Sequence, residues 1–218
     1  MTNPWVAGPE PDRVIKYGSN ADQLIEFFGD TGRLVAMIHG GYWRVKHNRE
    51  HMRALSAKLL ENGFQIANIE YRRDPNNPNQ TFEDVTKALE TLETLDAIIG
   101  FSVGGQLALL NSKFVHKVIL LAPVTDLVRT RTEELGEGAV SEFFGDLDLQ
   151  EFDPMNRNYD SHLYIVHGDS DKRVPITHSR DFAKAKIASL MEISGADHFD
   201  VIDPEGIAAE LTLKILRS

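Results

Sequence analysis

A serine between two glycines, in the run Gly100-Phe101-Ser102-Val103-Gly104, has the spacing of a nucleophile held at a sharp turn. The apolar residues 95–99 before it predict a buried strand, and residues 106–110 after it predict a helix. A strand and a helix pass so close at such a turn that side chains at the glycine positions would clash, and the serine takes a strained backbone conformation. The pattern therefore predicts Ser102 as a nucleophile.

His198 is the base that we expect to activate this serine. A serine hydroxyl is protonated at neutral pH, and a neutral imidazole within reach can take that proton and later return it to the leaving group. His198 follows the strand-like residues 190–193, whereas His39 and His167 each precede a glycine at a strand end and are expected to brace loops. The other histidines have no partner motif, and most are expected to face solvent: His47, His51, His116, His162 and His178.

Asp171 is the acid expected to hold the imidazole in the correct tautomer. It lies in the loop after the predicted strand 163–166. Asp169, two residues earlier in the same turn, and Asp126, after the preceding strand, remain alternatives. Serine, acid and histidine each follow a predicted strand, and functional loops of open α/β sheets lie at that edge.

Backbone N–H groups must stabilise the oxyanion that forms when an acyl carbon is attacked. We expect one from Val103, which opens the helix after the nucleophile, and two from Gly41 and Tyr42, which follow the predicted strand 33–38. A simple tight turn is the alternative explanation for the glycines at 40 and 41.

Four aromatic residues are assigned to the substrate pocket: Trp43, Phe101, Phe143 and Phe144. The two phenylalanines lie in residues 124–160, a long stretch without a clear strand that we interpret as a small helical lid. The alternative is a plain surface excursion that its phenylalanines anchor to the core. Arg72 and Arg73 could bind a substrate carboxylate or be solvated loop charges.

Strand-like and helix-like segments otherwise alternate along the chain, which predicts a mostly parallel sheet with helices on both faces. Residues 13–17 and 23–28 could form an antiparallel edge. A proline-rich and asparagine-rich loop is expected from Arg72 to Gln80, followed by a helix capped by Thr81. The last helix is expected to be capped by Asp203, with Pro204 at the first helical position.

Composition narrows the class of protein. The 218 residues suit one domain, 1–218, and the net charge of −10 argues against nucleic-acid binding and against an anionic membrane surface. There is no cysteine, which excludes disulfides and thiolate chemistry. Residues 1–10 lack the basic start and apolar core of a signal peptide, and no apolar stretch could span a bilayer. We therefore expect a cytoplasmic protein. Its oligomeric state is left open, with a homodimer as one possibility.

The motifs at 100–105 and 39–43 and the loops of Asp171 and His198 resemble the α/β-hydrolase superfamily over nearly the whole chain. Within it, His39-Gly40-Gly41-Tyr42-Trp43 is similar to the kynurenine formamidase (arylformamidase) branch and its bacterial esterase relatives. Hormone-sensitive-lipase-like esterases are close cousins, which usually carry a third glycine at position 42. The formamidase-like elbow often has a histidine where this chain has Phe101.

The resemblance implies an α/β-hydrolase fold and a serine hydrolase that needs neither a metal nor an organic cofactor. The expected substrate is a small ester or amide, with an aryl formamide such as N-formylkynurenine as the first choice. A short-chain carboxylesterase is the alternative enzyme. The alternative outside the enzymes is an α/β-hydrolase-fold protein that binds a ligand without catalysis.

Overall fold

The computed structural model describes residues 8–218, and its strands form one eight-stranded sheet. Residues 1–7, part of the segment expected not to be a signal peptide, lie outside the described residues. The strands are β1 (Arg13–Lys16), β2 (Leu24–Phe28), β3 (Arg33–Ile38), β4 (Phe64–Ile69), β5 (Leu95–Phe101), β6 (Lys117–Leu121), β7 (His162–Gly168) and β8 (Ser189–Ile193).

Seven helices connect and cover these strands within residues 8–218. They are α1 (Arg53–Glu61), α2 (Pro78–Glu90), α3 (Val103–Leu110), α4 (Leu127–Thr132), α5 (Leu135–Phe144), α6 (Ile176–Lys186) and α7 (Ile207–Arg217). Short 3₁₀ turns occur at Arg49–Met52, Ser112–Phe114, Pro154–Asn156 and Asp200–Ile202.

The sheet order is β1-β2-β4-β3-β5-β6-β7-β8. Strands β3 to β8 run parallel, while β1 and β2 add an antiparallel edge through the β2–β4 pair. The alternating pattern and the antiparallel start are therefore confirmed, and the architecture is the α/β-hydrolase fold expected from the sequence. All parallel strands end at one edge, which brings the loops after β3, β5, β7 and β8 together.

The core lies on both faces of this sheet, because successive side chains of a strand point to opposite sides. In β3, Ala36 and Ile38 pack with α2, α3 and α6, whereas Val35 and Met37 pack with α1 and α7. A strand buried on both faces reads as a continuous apolar run, which is why the central strands were predictable.

Helix α2 begins three residues before the predicted cap. Asn77 is the N-cap, and Pro78 takes the first helical position, where its fixed φ is favourable and its missing N–H costs nothing. The Thr81 hydroxyl donates instead to the carbonyl of Arg72, at 2.6 Å. The predictions of a cap at Thr81 and of a loop up to Gln80 are therefore wrong.

The last helix also begins later than predicted. Asp203 accepts a hydrogen bond from the backbone of Glu205 in a turn, and α7 starts at Ile207 after Gly206. Ile207 is consequently 65% exposed. The buried face of α7 consists of Ala208, Ala209, Thr212, Leu213, Ile215 and Leu216.

The stretch 124–160 contains α4, α5 and one 3₁₀ turn. Gly136 takes a left-handed conformation at the start of α5 and lies against the ring of Tyr42, since a Cβ there would come within 2.7 Å of it. Arg44 donates to Glu142 of the same helix. The insertion thus packs on the loop after β3, and its role as a lid stays a prediction. Over residues 8–218, no helix has the length and apolarity needed to cross a bilayer.

Candidate active site

Ser102 lies in the turn between β5 and α3 with φ of 55° and ψ of −119°. This is a backbone conformation that residues other than glycine rarely adopt, and it persists only where the surroundings impose it. The backbone N–H of Ser102 donates to Leu121 of β6, and its carbonyl accepts from Gly105 and Val124. These three bonds hold the strained residue in the position expected of a nucleophile.

The glycines beside Ser102 are required by close packing. A Cβ on Gly104 would lie 2.0 Å from the carbonyl oxygen of Ile38, and one on Gly100 would lie 2.3 Å from the carbonyl oxygen of Gly104. Both distances are far below van der Waals contact. The close approach of strand and helix predicted from the sequence is therefore confirmed. It explains why glycines stand at these two positions of the motif.

Ser102, His198 and Asp171 form a connected row. The Oγ atom of Ser102 lies 3.1 Å from Nε2 of His198, and Nδ1 of His198 lies 2.6 Å from Oδ2 of Asp171. A carboxylate beside Nδ1 requires the proton there, so Nε2 is free to accept from the serine hydroxyl. This is the arrangement in which an imidazole can act as a general base.

Asp171 is a buried carboxylate that accepts four hydrogen bonds. Oδ1 accepts from the backbone of Arg173 and Val174, and Oδ2 accepts from the rings of His198 and His167. Burial alone would raise the pKa of Asp171, but the two histidine hydrogen bonds and the charge of His198 outweigh it and hold the pKa below its usual range. Asp171 thus stays ionised beside the imidazole.

The two alternative acids lie elsewhere. Asp169 is exposed, and its carboxylate accepts from the backbone N–H of Gly195 at 2.7 Å. Asp126 caps α4 by accepting from the backbone N–H of Arg129. The structure joins neither of them to His198.

The loop after β3 borders Ser102. A Cβ on Gly40 would come within 2.7 Å of the Cβ of Ser102, so a glycine is required for this loop to approach the nucleophile so closely. Gly41 has φ of 121° and Tyr42 has φ of 51°. Val103 is the first residue of α3, where backbone N–H groups have no partner within the helix. The three predicted oxyanion donors therefore belong to two backbone segments, the loop after β3 and the start of α3, and their role stays a prediction.

A buried ion-pair network lies under this loop. His39 donates from Nδ1 to the carbonyl of Gly40, and its Nε2 lies 2.9 Å from Glu70. Glu70 also pairs with the guanidinium of Arg73 and with Arg49. Burial by itself would raise the pKa of Glu70, but His39 and Arg73 hold it below its usual range. Tyr71 stacks on His39 and donates to its carbonyl, so the first residue of the loop is fixed from several sides.

Neither Arg72 nor Arg73 matches its predicted alternatives. Arg72 donates to both oxygens of Asp84, and Arg73 is buried against Glu70. Both guanidiniums satisfy internal carboxylates, so neither is a solvated loop charge nor a group free to bind a substrate.

The histidines follow the predictions in part. His39 and His167 brace loops, and His116 and His162 are exposed. His51 and His178 are instead buried, at 9% and 1% exposure. His178 donates from Nε2 to the carboxylate of Glu133, 2.9 Å away, and His51 lies edge-on to His39.

The four residues assigned to the pocket are buried in two groups. Trp43 stacks on Phe143 with ring centroids 5.3 Å apart and meets Phe144 edge-on. This packing agrees with the alternative in which the phenylalanines anchor the insertion to the core. Phe101 lies 5.0 Å from the ring of His198. Their contact with a substrate stays a prediction.

Two functional partners were missed in the sequence. Glu70 follows an apolar strand and precedes two arginines, and a buried acid in that position signals an internal ion pair. His167 was expected only to brace a loop, but its Nε2 reaches Asp171 at 3.1 Å while Nδ1 lies 2.7 Å from the Ser179 hydroxyl. The four-residue spacing of His167 and Asp171 across a turn was the available signal. Within residues 8–218, no cluster of three or more histidine and carboxylate side chains is arranged to hold a metal ion.

Solved structures with the same architecture include several esterases. Esterase B of Lactobacillus rhamnosis, in a structure with a tributyrin phosphonate inhibitor, is 18% identical with a TM-score of 0.78, covering 98% of this chain and 87% of its own. Esterase 2 of Thermogutta terrifontis, phosphoramylated by tabun, is 19% identical with a TM-score of 0.76, covering 96% and 94%. A truncated carbohydrate esterase from gut microbiota is 15% identical with a TM-score of 0.78, covering 95% and 96%.

These likenesses show the fold. Among curated proteins, none matches the sequence significantly. The BD-FAE family model matches residues 28–162, which include the loop after β3, the elbow of Ser102 and the whole of the insertion. Because this match spans more than half of the 218 residues, the chain belongs to the BD-FAE family.

Proposed function

We propose that this protein is a serine hydrolase that cleaves a small carboxylic ester through an acyl-enzyme. The observation that carries the proposal is the row from Ser102 Oγ through His198 to Asp171, with distances of 3.1 Å and 2.6 Å. The serine at its end is already held in the strained elbow conformation.

The reaction begins when Ser102 Oγ attacks the ester carbon and its proton passes to Nε2 of His198. The carbonyl oxygen becomes an oxyanion, which the N–H groups of Val103, Gly41 and Tyr42 stabilise. His198 then gives its proton to the alkoxide leaving group as the C–O bond breaks. A water molecule, deprotonated by His198, attacks the acyl-enzyme and releases the acid and the free serine.

The solved structures support an ester as the substrate, because the similar proteins named above are esterases. The formamide of an arylamine, such as N-formylkynurenine, is the second candidate, carried by the motif at residues 39–43. Two members of that motif have structural contacts that account for them without a formamide: the Tyr42 hydroxyl donates to Arg173, and Trp43 packs in the core. We therefore place the ester first.

A fluorophosphonate probe tests the nucleophile. We expect it to label the wild type and not Ser102→Ala. Ser56→Ala is the matched control. Ser56 is also a buried serine, but it lies in α1 and its hydroxyl donates to the backbone carbonyl of Met52. Labelling of Ser102→Ala, or no labelling of folded wild type, would contradict the proposal and favour the alternative of a ligand-binding protein.

The substrate is tested by comparing kcat/KM for p-nitrophenyl acetate with kcat/KM for N-formylkynurenine. We expect the acetate ester to be preferred after each value is divided by its uncatalysed hydrolysis rate. A higher corrected value for N-formylkynurenine would move the formamidase to first place.

A further inference from the structure

Arg173 is fixed at three points beside the candidate active site. Its backbone N–H donates to Oδ1 of Asp171 at 2.8 Å, and its carbonyl accepts from the Tyr42 hydroxyl at 2.6 Å. Its guanidinium lies over the ring of Phe199, 4.9 Å from the ring centroid. The side chain is therefore oriented by a cation–π contact, while its backbone is bound to both the acid loop and the loop after β3.

The guanidinium of Arg173 has its N–H donors available. It is exposed, and within the described part of the chain its side chain forms no ion pair. The nearby carboxylates have other donors. Asp171 is saturated by its four hydrogen bonds, and Asp197 accepts from the backbone of Phe199 and Asp200.

Lys46 and Arg44 are further cations that, like Arg173, act on the neutral imidazole of His47 in the loop after β3. His47 lies against Gly41, where a Cβ would come within 2.4 Å of the His47 Cβ. Its pKa is lowered by burial first, and then by the charges of Lys46, His39, Arg173 and Arg44. Arg44 is paired with Glu142, but Lys46 is exposed. The charges of Arg173 and Lys46, in a chain of net charge −10, favour an anion at this point on the surface.

The position of Arg173 indicates which part of the substrate, the acyl group or the leaving group, it would contact. His198 must face the leaving group, because it returns the proton to it. Phe199 follows His198 in the chain, and Arg173 covers Phe199. The ring of Phe199 also lies edge-on to the ring of His198, with centroids 5.4 Å apart, so we assign Arg173 to the side of the leaving group.

We propose that Arg173 recognises an anion and that the natural substrate carries a carboxylate on its leaving group. This inference rests on the proposed ester hydrolysis at Ser102. The planar guanidinium offers a fork of N–H donors that matches a carboxylate in geometry, which an ammonium group does not.

The test compares 4-acetoxybenzoate with 4-acetoxybenzamide, two esters of nearly equal shape that differ in charge on the leaving group. The measured quantity is the ratio of their kcat/KM values, each divided by the rate of alkaline hydrolysis. We expect the wild type to favour the anionic ester about tenfold or more, and we expect the ratio to fall as sodium chloride is added.

Arg173→Gln should lower this ratio about tenfold, and Arg173→Lys should lower it by less, because the charge remains without the fork. Arg13→Gln is the matched control: Arg13 is also exposed and also covers a phenylalanine, at 4.1 Å from the Phe27 ring, but it lies on the edge strand β1. A ratio that Arg173→Gln leaves unchanged, or that Arg13→Gln lowers equally, would overturn the proposal.

Calorimetric titration of Ser102→Ala with both esters separates this proposal from the hydrolase. We expect the anionic ester to bind more tightly, and the difference to disappear in the Ser102→Ala, Arg173→Gln double variant. If the wild type hydrolyses neither ester but this Arg173-dependent difference is found, the hydrolase proposal fails and the anion site stands. Equal binding of the two esters by Ser102→Ala would overturn the anion site.

Discussion

The hydroxyl of Tyr42 donates to the backbone carbonyl of Arg173 across 131 residues of chain, at 2.6 Å. This bond joins the loop expected to stabilise the oxyanion to the loop that carries Asp171. Tyr42 is buried and has φ of 51°, and burial raises the pKa of its hydroxyl, so the hydroxyl stays a donor at neutral pH. The two loops are therefore held at a fixed separation.

Tyr42→Phe should lower kcat for ester hydrolysis about fivefold, since one net hydrogen bond is worth about 1 kcal/mol and a tenfold rate is about 1.4 kcal/mol. Tyr159→Phe is the matched control, because its hydroxyl also donates to a backbone carbonyl, that of Pro154, but within the insertion. Steady-state kinetics on both variants provides the measurement. Equal losses in kcat would mean that the Tyr42 bond has no particular link to catalysis.

Asp171→Asn should lower kcat by about 10³–10⁴-fold while the protein stays folded, because an amide can no longer hold the imidazole in the tautomer that accepts from Ser102. Asp169→Asn should change kcat less than about threefold, since a surface hydrogen bond contributes little. The two residues lie in the same turn and the substitutions are chemically identical. A large loss in Asp169→Asn with a small one in Asp171→Asn would move the role of the acid to Asp169.

Glu70→Gln should lower the free energy of unfolding by about 3–5 kcal/mol, because Arg73 and Arg49 lose a buried partner. Glu142→Gln should cost less than about 1 kcal/mol, since that carboxylate is half exposed and pairs with Arg44 near the surface. Denaturant titration of both variants measures the difference. The folded-state pKa of Glu70 lies below its usual value of 4.5, so its contribution is present above that pH and is lost as the pH falls.

His51 should make the protein less stable in mild acid. Burial lowers the pKa of His51 from 6.5 to about 3, with smaller contributions from His39 and His47. The unfolded chain takes up the proton below pH 6.5 and the folded chain does not, so stability is complete above that pH and decreases towards 3. At about pH 5 the loss reaches about 2 kcal/mol.

The measurement for His51 is the melting temperature between neutral pH and about pH 5. His51→Gln should flatten its dependence on pH, whereas His116→Gln, at an exposed position, should leave the slope as in the wild type. Identical slopes in all three proteins would contradict a buried, neutral His51.

The central strands and the elbow were predictable because their signals are local. A strand buried on both faces is an unbroken apolar run, and the clash at Gly100 and Gly104 follows from their spacing to Ser102. The predicted starts of α2 and α7 were wrong because a Thr or Asp near a helix start can form hydrogen bonds with several different groups. Tertiary contacts determine which of these bonds forms.

The partners of buried charges could not be read from the sequence. Arg73 and Glu70 are near in sequence, but Glu70 meets His39 only because β3 and β4 are neighbours in the sheet. In the same way, the stack of Trp43 on Phe143 joins segments 100 residues apart. Such contacts depend on the whole fold. The sequence therefore does not show which side chains these buried residues contact.

The backbone of Ser102 is bonded to Leu121, Gly105 and Val124, and this has an evolutionary consequence. The position of the Ser102 hydroxyl is therefore set by the sheet and by helix α3. The segments that border the substrate do not set it. Sequence drift in those bordering segments can therefore alter which compounds are accepted while the reactive centre keeps its alignment. Laboratory selection for new substrates should consequently find its productive changes at exposed positions of the loops after β3 and β7, such as Lys46 and Lys172.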